Sequence, residues 1–226
     1  MSDPVRVMLE YGRKRTVAVA WEWPGWERAG RGTEPENALE RLELYRPRYA
    51  RIAWAAGPAI GAAFDATGAL VVEDHQPSSG TTDYFGVSGR SATAEHGPVA
   101  DDVLERRLAL VRAAWAHFDH LALTVSPELR QGRRPSERNR DKVVRHTLYS
   151  ELDFSKRLGV REEFATLLDV DGRARYRDAF VDAIRACNAA GGTTRTWTLQ
   201  FVIRRTIFHT LDHAWELEDK DLTGEA

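Results

Sequence analysis

At 226 residues, 42% hydrophobic and 29% charged, with 9 prolines and 17 glycines, the chain has the make-up of a folded globular protein, which excludes the collagen-like, low-complexity and disordered classes. Its 32 basic and 34 acidic residues leave a net charge of −2, which excludes a global field for drawing in nucleic acid, an anionic membrane or an acidic ligand. The single cysteine, Cys187, excludes an intramolecular disulfide and any cysteine-built zinc cluster, and it fits a reducing compartment.

The first third reads as strands around one helix. Val5, Val7 and Leu9 alternate with Arg6, Met8 and Glu10. After a basic turn at 12–15, Val17, Val19, Trp21 and Trp23 alternate with Ala18, Ala20 and Glu22, so a hairpin is expected. Pro24-Gly25 is a turn signal, and residues 26–29 can return as a third strand before Gly30 and Gly32. Thr33 and Glu36 have capping-box spacing, and Ala38, Leu39, Leu42 and Tyr45 continue one side of a helix that Pro47 should kink or end. Residues 68–73, with Ala-Leu-Val-Val at their centre, read as another strand.

Residues 75–98 are rich in Ser, Thr, Gly and Pro with weak periodicity, and the domain boundary is placed there: an α+β unit over 1–75, a linker over 76–98 and a helical unit over 99–221. Four helices are expected at about 100–123, 138–158, 173–189 and 198–219. The N-terminal residues lack the uninterrupted apolar stretch of a signal peptide, and no run of about 18 apolar residues occurs, so the expected location is cytoplasmic with no membrane partner.

The informative residues lie in the last helix. His209 and His213 stand at i and i+4 on one face, the spacing that lets two imidazoles converge on one ion. Arg205, Glu216 and Lys220 share that sector, so the same spacing also describes a solvated polar face. His146, mid-way along the second helix, is the third candidate ligand; flanked by Val143, Tyr149, Phe154, Ser150 and Asp153, it reads equally as a satisfied interface histidine. His117 and His120, at i and i+3 beside Asp119, read as surface residues.

The segments Arg140-Asp141-Lys142-Val143-Val144-Arg145-His146 and Ile207-Phe208-His209-Thr210-Leu211-Asp212-His213-Ala214-Trp215-Glu216 resemble the DinB-like superfamily over about residues 100–221. That resemblance implies a four-helix bundle, often a homodimer, with a divalent metal, zinc or nickel foremost, held by His146, His209 and His213. Trp23-Pro24-Gly25-Trp26 and Pro35-Glu36-Asn37-Ala38-Leu39 resemble the HicB-like fold over about residues 5–74, a small sheet with one helix.

Three imidazole ligands would leave an open position for water, substrate or a low-molecular-weight thiol. The resemblance implies a metal-dependent hydrolase or thiol transferase acting on a small molecule. The alternative is a stress-response or regulatory binding module with a structural metal. Asp153, Asp212 and Glu216 are candidates for orienting ligands or moving protons, or else are ordinary surface carboxylates. No catalytic base is assigned.

Other residues invite smaller readings. Arg130, Arg133, Arg134, Arg138 and Arg140 would meet phosphates in a nucleic-acid reading, but no aromatic residue interleaves them, and a solvated loop is preferred. Cys187 reads as packing, and Trp115, Trp197 and Trp215 as bundle core or pocket wall. Gly191-Gly192-Thr193-Thr194 reads as a helix break lacking the lysine of a phosphate loop.

Overall fold

The computed structural model describes residues 2–131 and 139–224. Arg133, Arg134 and Arg138 lie outside the described residues. The architecture is α+β. β1 (Val5–Tyr11) and β2 (Thr16–Val19) form the expected antiparallel hairpin, with Met8 opposite Val19 and Tyr11 opposite Thr16. The carboxylate of Asp83 accepts from the turn N–H groups of Arg13 at 2.9 Å and Lys14 at 2.7 Å.

β2 stops four residues before Trp23, where the alternation was expected to run on. The chain instead folds back through two local bonds, Trp23 N–H to Ala20 O and Trp26 N–H to Trp23 O, both 3.0 Å. Gly25 at the apex has φ of 92°, and a Cβ there would stand 2.3 Å from Ile207 Cγ2, so backbone shape and close approach both call for glycine. β3 (Glu27–Ala29) then pairs antiparallel with β2, and β4 (Leu70–Pro77) lies parallel to β1, giving the order β3-β2-β1-β4. β4 runs four residues past the expected strand end.

The expectation of one helix in this region is corrected to three: α1 (Pro35–Leu44), α2 (Arg46–Ala56) and α3 (Pro58–Asp65). Proline placement explains the division. Pro35, Pro47 and Pro58 each occupy a first helical turn, where a missing N–H breaks no bond. The Thr33–Glu36 capping box does not form. The helix starts one residue later, with Glu34 as N-cap and no side-chain cap bond, while the Thr33 carbonyl accepts from Thr16 Oγ1 at 2.6 Å.

Both sheet faces are covered. Val5, Val7, Leu9, Ala18 and Ala20 pack toward the helices, whereas Met8, Val17, Val19 and Trp21 pack with Ala92. The segment holding α4 (Thr81–Phe85) is tied to the sheet by the buried Glu10 carboxylate. It accepts from Ser79 N and Oγ (both 3.0 Å), Thr82 Oγ1 (2.5 Å), Ser88 Oγ (2.8 Å), Gly89 N (2.9 Å) and Arg90 N (3.1 Å).

The second half supplies α5 (Asp101–Thr124), α6 (Arg140–Ser155), a short α7 (Phe164–Leu168), α8 (Val170–Ala189) and α9 (Leu199–Lys220). The four long helices fall within a few residues of expectation. α7 was not foreseen. Side-chain caps fix three starts: Asn139 accepts from Lys142 N, Asp169 from Gly172 N and Thr198 from Phe201 N. α9 packs against α5, α6 and α8. One buried apolar cluster joins the sheet, α1–α3 and the bundle, and includes Trp26, Tyr49 and Phe64 together with Trp115, Phe180, Ile207 and Trp215. Among the described residues no helix is long and apolar enough to cross a membrane.

Candidate metal centre

His209 and His213 are successive turns of one face of α9, and α6 packs on that face through its middle, where His146 lies. The three imidazoles meet. One ligand atom from each lies within 4.8 Å of the others, and the ring centroids are 5.2 Å (His146–His209), 4.9 Å (His146–His213) and 4.6 Å (His209–His213) apart. Among the described residues this is the one such group of three or more potential ligands.

The donor set fits a first-row divalent ion. For an equilateral arrangement at the outer limit of that spacing, each ring needs to draw in by less than about 1 Å to reach the roughly 2.0–2.1 Å bonds of zinc to imidazole. Burial is graded across the site: His213 is 8% exposed, His209 half-buried and His146 exposed. The centre is thus walled on the α9 side and open toward solvent at His146.

Of the three carboxylates considered, Glu216 is the one against a ring, its Oε2 2.9 Å from His213 Nδ1. The hydrogen bond with His213 holds the Glu216 carboxyl down at about 2, burial opposes this, and Lys220 Nζ at 2.6 Å from Oε1 adds to it. An ionised Glu216 can only accept, so Nδ1 donates to it, and metal binding by this residue would fall to Nε2. Asp212 is half-exposed and pairs with Arg28 at 3.3 Å; Asp153 is exposed and lies 3.7 Å from Arg157. Phe154 stands edge-on to His209, with centroids 5.6 Å apart.

The remaining candidates lie elsewhere. His117 is half-buried and His120 exposed on α5, and burial pushes the His117 imidazole below its usual range. Arg130 N–H donates to Lys220 O, and Arg140 is engaged by Asp141 and Val125 O. Cys187 is half-buried, its thiol pushed up by burial and donating to Thr193 O at 3.7 Å. Trp115 and Trp215 are core, whereas Trp197 is a half-buried wall. A cavity of about 780 Å³ beside Leu39, Phe64 and Leu70 has none of the histidines in its lining, and its Arg46 is satisfied by Glu43, Thr67 and Gly68 O.

Sequence reasoning missed the ionic network joining the sheet to α9. Arg204 is fully buried and donates to Glu27, to Glu95 (Nε to Oε1, 2.8 Å) and to Arg90 O (2.6 Å). On the residue after Glu27, the Arg28 guanidinium lies 3.8 Å from the centre of the Tyr45 ring and 4.5 Å from that of Trp215. The available signal was a carboxylate inside a three-residue strand, at Glu27. Against protein-family models, curated proteins and solved structures, the chain matches none.

Proposed function

We propose that the chain is a DinB-like metal-binding protein that acts as a metal-dependent enzyme on a small molecule, as a hydrolase or a low-molecular-weight-thiol transferase. In this reading a small HicB-like unit precedes the bundle. The supporting observation is the convergence of His146, His209 and His213, which are distant in sequence, to within 4.8 Å. A bound zinc or nickel ion would supply Lewis acidity, lowering the pKa of a water or holding a thiol as thiolate. The chain's own contribution is to present three imidazoles, to orient His213 through Glu216 and to shield one side with Phe154. The exposure of His146 leaves room for an exchangeable ligand, which favours an enzyme over a module with a closed structural metal. A cytoplasmic location and a homodimer belong to the same proposal; no nucleic-acid or membrane partner does.

Metal analysis of untagged protein tests it. Wild type is expected to carry about one ion per chain, and His146→Ala and His209→Ala far less. Equal metal content in all three preparations would overturn the assignment. Chelation separates the two roles: an enzyme's centre loses its metal with helicity intact, whereas unfolding on chelation marks a structural site.

A further inference from the structure

A cavity of about 490 Å³ opens between two segments that the fold brings together from distant parts of the chain. One wall comes from residues 76–97, between the end of β4 and the start of the bundle, and the other from residues 193–201, the α8–α9 joint with the first turn of α9. Its size falls in the range of roughly 300–1,000 Å³ usual for small-molecule sites. None of the three histidines of the candidate metal centre lines it.

Both walls are fixed by the chain itself. On one side, Gly89 N–H and Arg90 N–H donate to the buried Glu10 carboxylate, and Arg90 O accepts from the fully buried Arg204 at 2.6 Å. On the other, Thr194 N–H donates to Trp197 O at 3.1 Å, and Thr198 Oγ1 accepts from Phe201 N–H at 3.1 Å. The walls are also tied to each other: Ser91 Oγ lies 3.2 Å from Thr198 Oγ1, and Gln200 Nε2 donates to Gly97 O at 3.0 Å. Gly192 has φ of 71°, and a Cβ there would stand 2.7 Å from the carbonyl carbon of Gly97, so the close approach of the two segments calls for glycine. A cavity shaped this firmly needs little reordering when a ligand enters.

The chemistry of the lining is one-sided. Two guanidiniums, Arg90 from one wall and Arg195 from the other, contribute to it together with the His96 imidazole, and no carboxylate does. All three residues are exposed. The Arg90 side chain donates only from Nε, to Pro77 O at 3.3 Å, and the Arg195 side chain makes no hydrogen bond or ion pair among the described residues. The acids close by in sequence are already engaged. Asp74 accepts from Thr93 N–H at 2.6 Å and from Gln76 Nε2 at 3.0 Å, and Glu95 accepts from Arg204 and from Ala92 N–H at 2.7 Å. Elsewhere arginines such as Arg48 and Arg185 find carboxylates at 2.6 and 2.8 Å. Two unmatched guanidiniums around one hollow concentrate positive potential there, in a chain whose net charge is −2. Thr196 Oγ1 accepts from Arg157 Nη1 at 2.8 Å, which leaves its own proton to donate. Trp197 and Phe201, edge to face with centroids 4.7 Å apart, supply an apolar flank.

We propose that this cavity binds a small molecule through a dianionic phosphate monoester, the phosphate meeting Arg90 and Arg195 and the body of the molecule lying against Trp197 and Phe201. Guanidinium forks match phosphate oxygens in pairs, and two positive charges suit a dianion better than a single carboxylate. The site is separate from the metal centre and stands whether or not the histidines hold an ion.

Titration calorimetry of the full chain with phenyl phosphate, phenylacetate and benzyl alcohol tests it. Phenyl phosphate is expected to saturate a single site and to bind about tenfold or more tightly than either of the others. Arg90→Gln/Arg195→Gln changes only exposed side chains and should weaken that binding by about tenfold or more. Arg161→Gln/Arg175→Gln removes the same charge from exposed positions outside the cavity and should leave it unchanged. Because the walls are joined across 107 residues, from Ser91 to Thr198, phenyl phosphate should also raise the thermal midpoint of wild type and not that of the first variant. Affinity for phenyl phosphate no better than for phenylacetate or benzyl alcohol would overturn the inference. So would binding that survives Arg90→Gln/Arg195→Gln, as it would if the histidines held the phosphate, or an equal loss in both variants.

Discussion

His213 is nearly enclosed, with Nδ1 committed to an ionised Glu216 that Lys220 also holds in place, so its orientation is set by protein groups alone. Replacing Glu216 with Gln should lower zinc affinity by about 10- to 100-fold, read by competition with a chromogenic chelator; undiminished affinity would show that Glu216 orients nothing. Glu10 is the other carboxylate whose surroundings decide its charge. Burial pushes its carboxyl up, but bonds from Thr82, Ser88 and Ser79 outweigh burial and hold it below the usual range. Because the folded value is depressed, the stabilisation is complete above the unfolded carboxylate range near 4.3 and is lost as pH falls through the lower folded value. Glu10→Gln should therefore cost about 1–3 kcal/mol at pH 7, with the gap to wild type closing as the pH is lowered below about 4. Urea titrations at both pH values would show it, and a gap that widens in acid would contradict the sign. The two residues differ in legibility. Histidines at i and i+4 announce a shared helical face, whereas Glu10 reads as the polar side of an alternating strand; only the covering of that face by residues 79–92 makes it interior.

Among the elements, the long helices declared themselves through sustained apolar periodicity, and their joints through Gly191-Gly192 and the caps at Asn139, Asp169 and Thr198. The short helices did not. α2 and α3 are stretches of eleven and eight residues with Pro47 and Gly57-Pro58 at their starts, too brief for a periodic signature to outweigh those breaker residues. Nor does a sequence reveal that Arg204 will be dehydrated, since an arginine on an amphipathic helix ordinarily faces water. Here it joins α9 to β3 through Glu27 and to the segment before α5 through Glu95, all three side chains being buried. Arg204→Met would leave both carboxylates buried without the guanidinium that hydrogen-bonds them, and a loss of about 3–5 kcal/mol is expected in chemical denaturation. Adding Glu27→Met and Glu95→Gln to that variant should recover much of the loss. A single variant as stable as wild type would show that the network contributes nothing.

For the whole molecule, the main consequence follows from the shared apolar cluster, in which Trp23, Trp26 and Phe64 belong to the same buried body as Ile203, Ile207 and Trp215. Neither half is furnished with a separate principal core, so heating or urea should produce one transition, with helical ellipticity and tryptophan fluorescence coincident. Two separated transitions would show that the halves fold independently.

The place of β1 in the sheet bears on how the chain comes to be folded. It lies between β2 and β4, and its parallel neighbour begins at Leu70, after all of α1–α3. In vectorial synthesis the hairpin can close early, yet one flank of β1 must wait, its amide groups unclaimed, until some sixty further residues have left the ribosome. Slowing translation before β4 has emerged would prolong that unpaired interval and favour aggregation of the nascent chain, whereas slowing it after β4 has emerged would not.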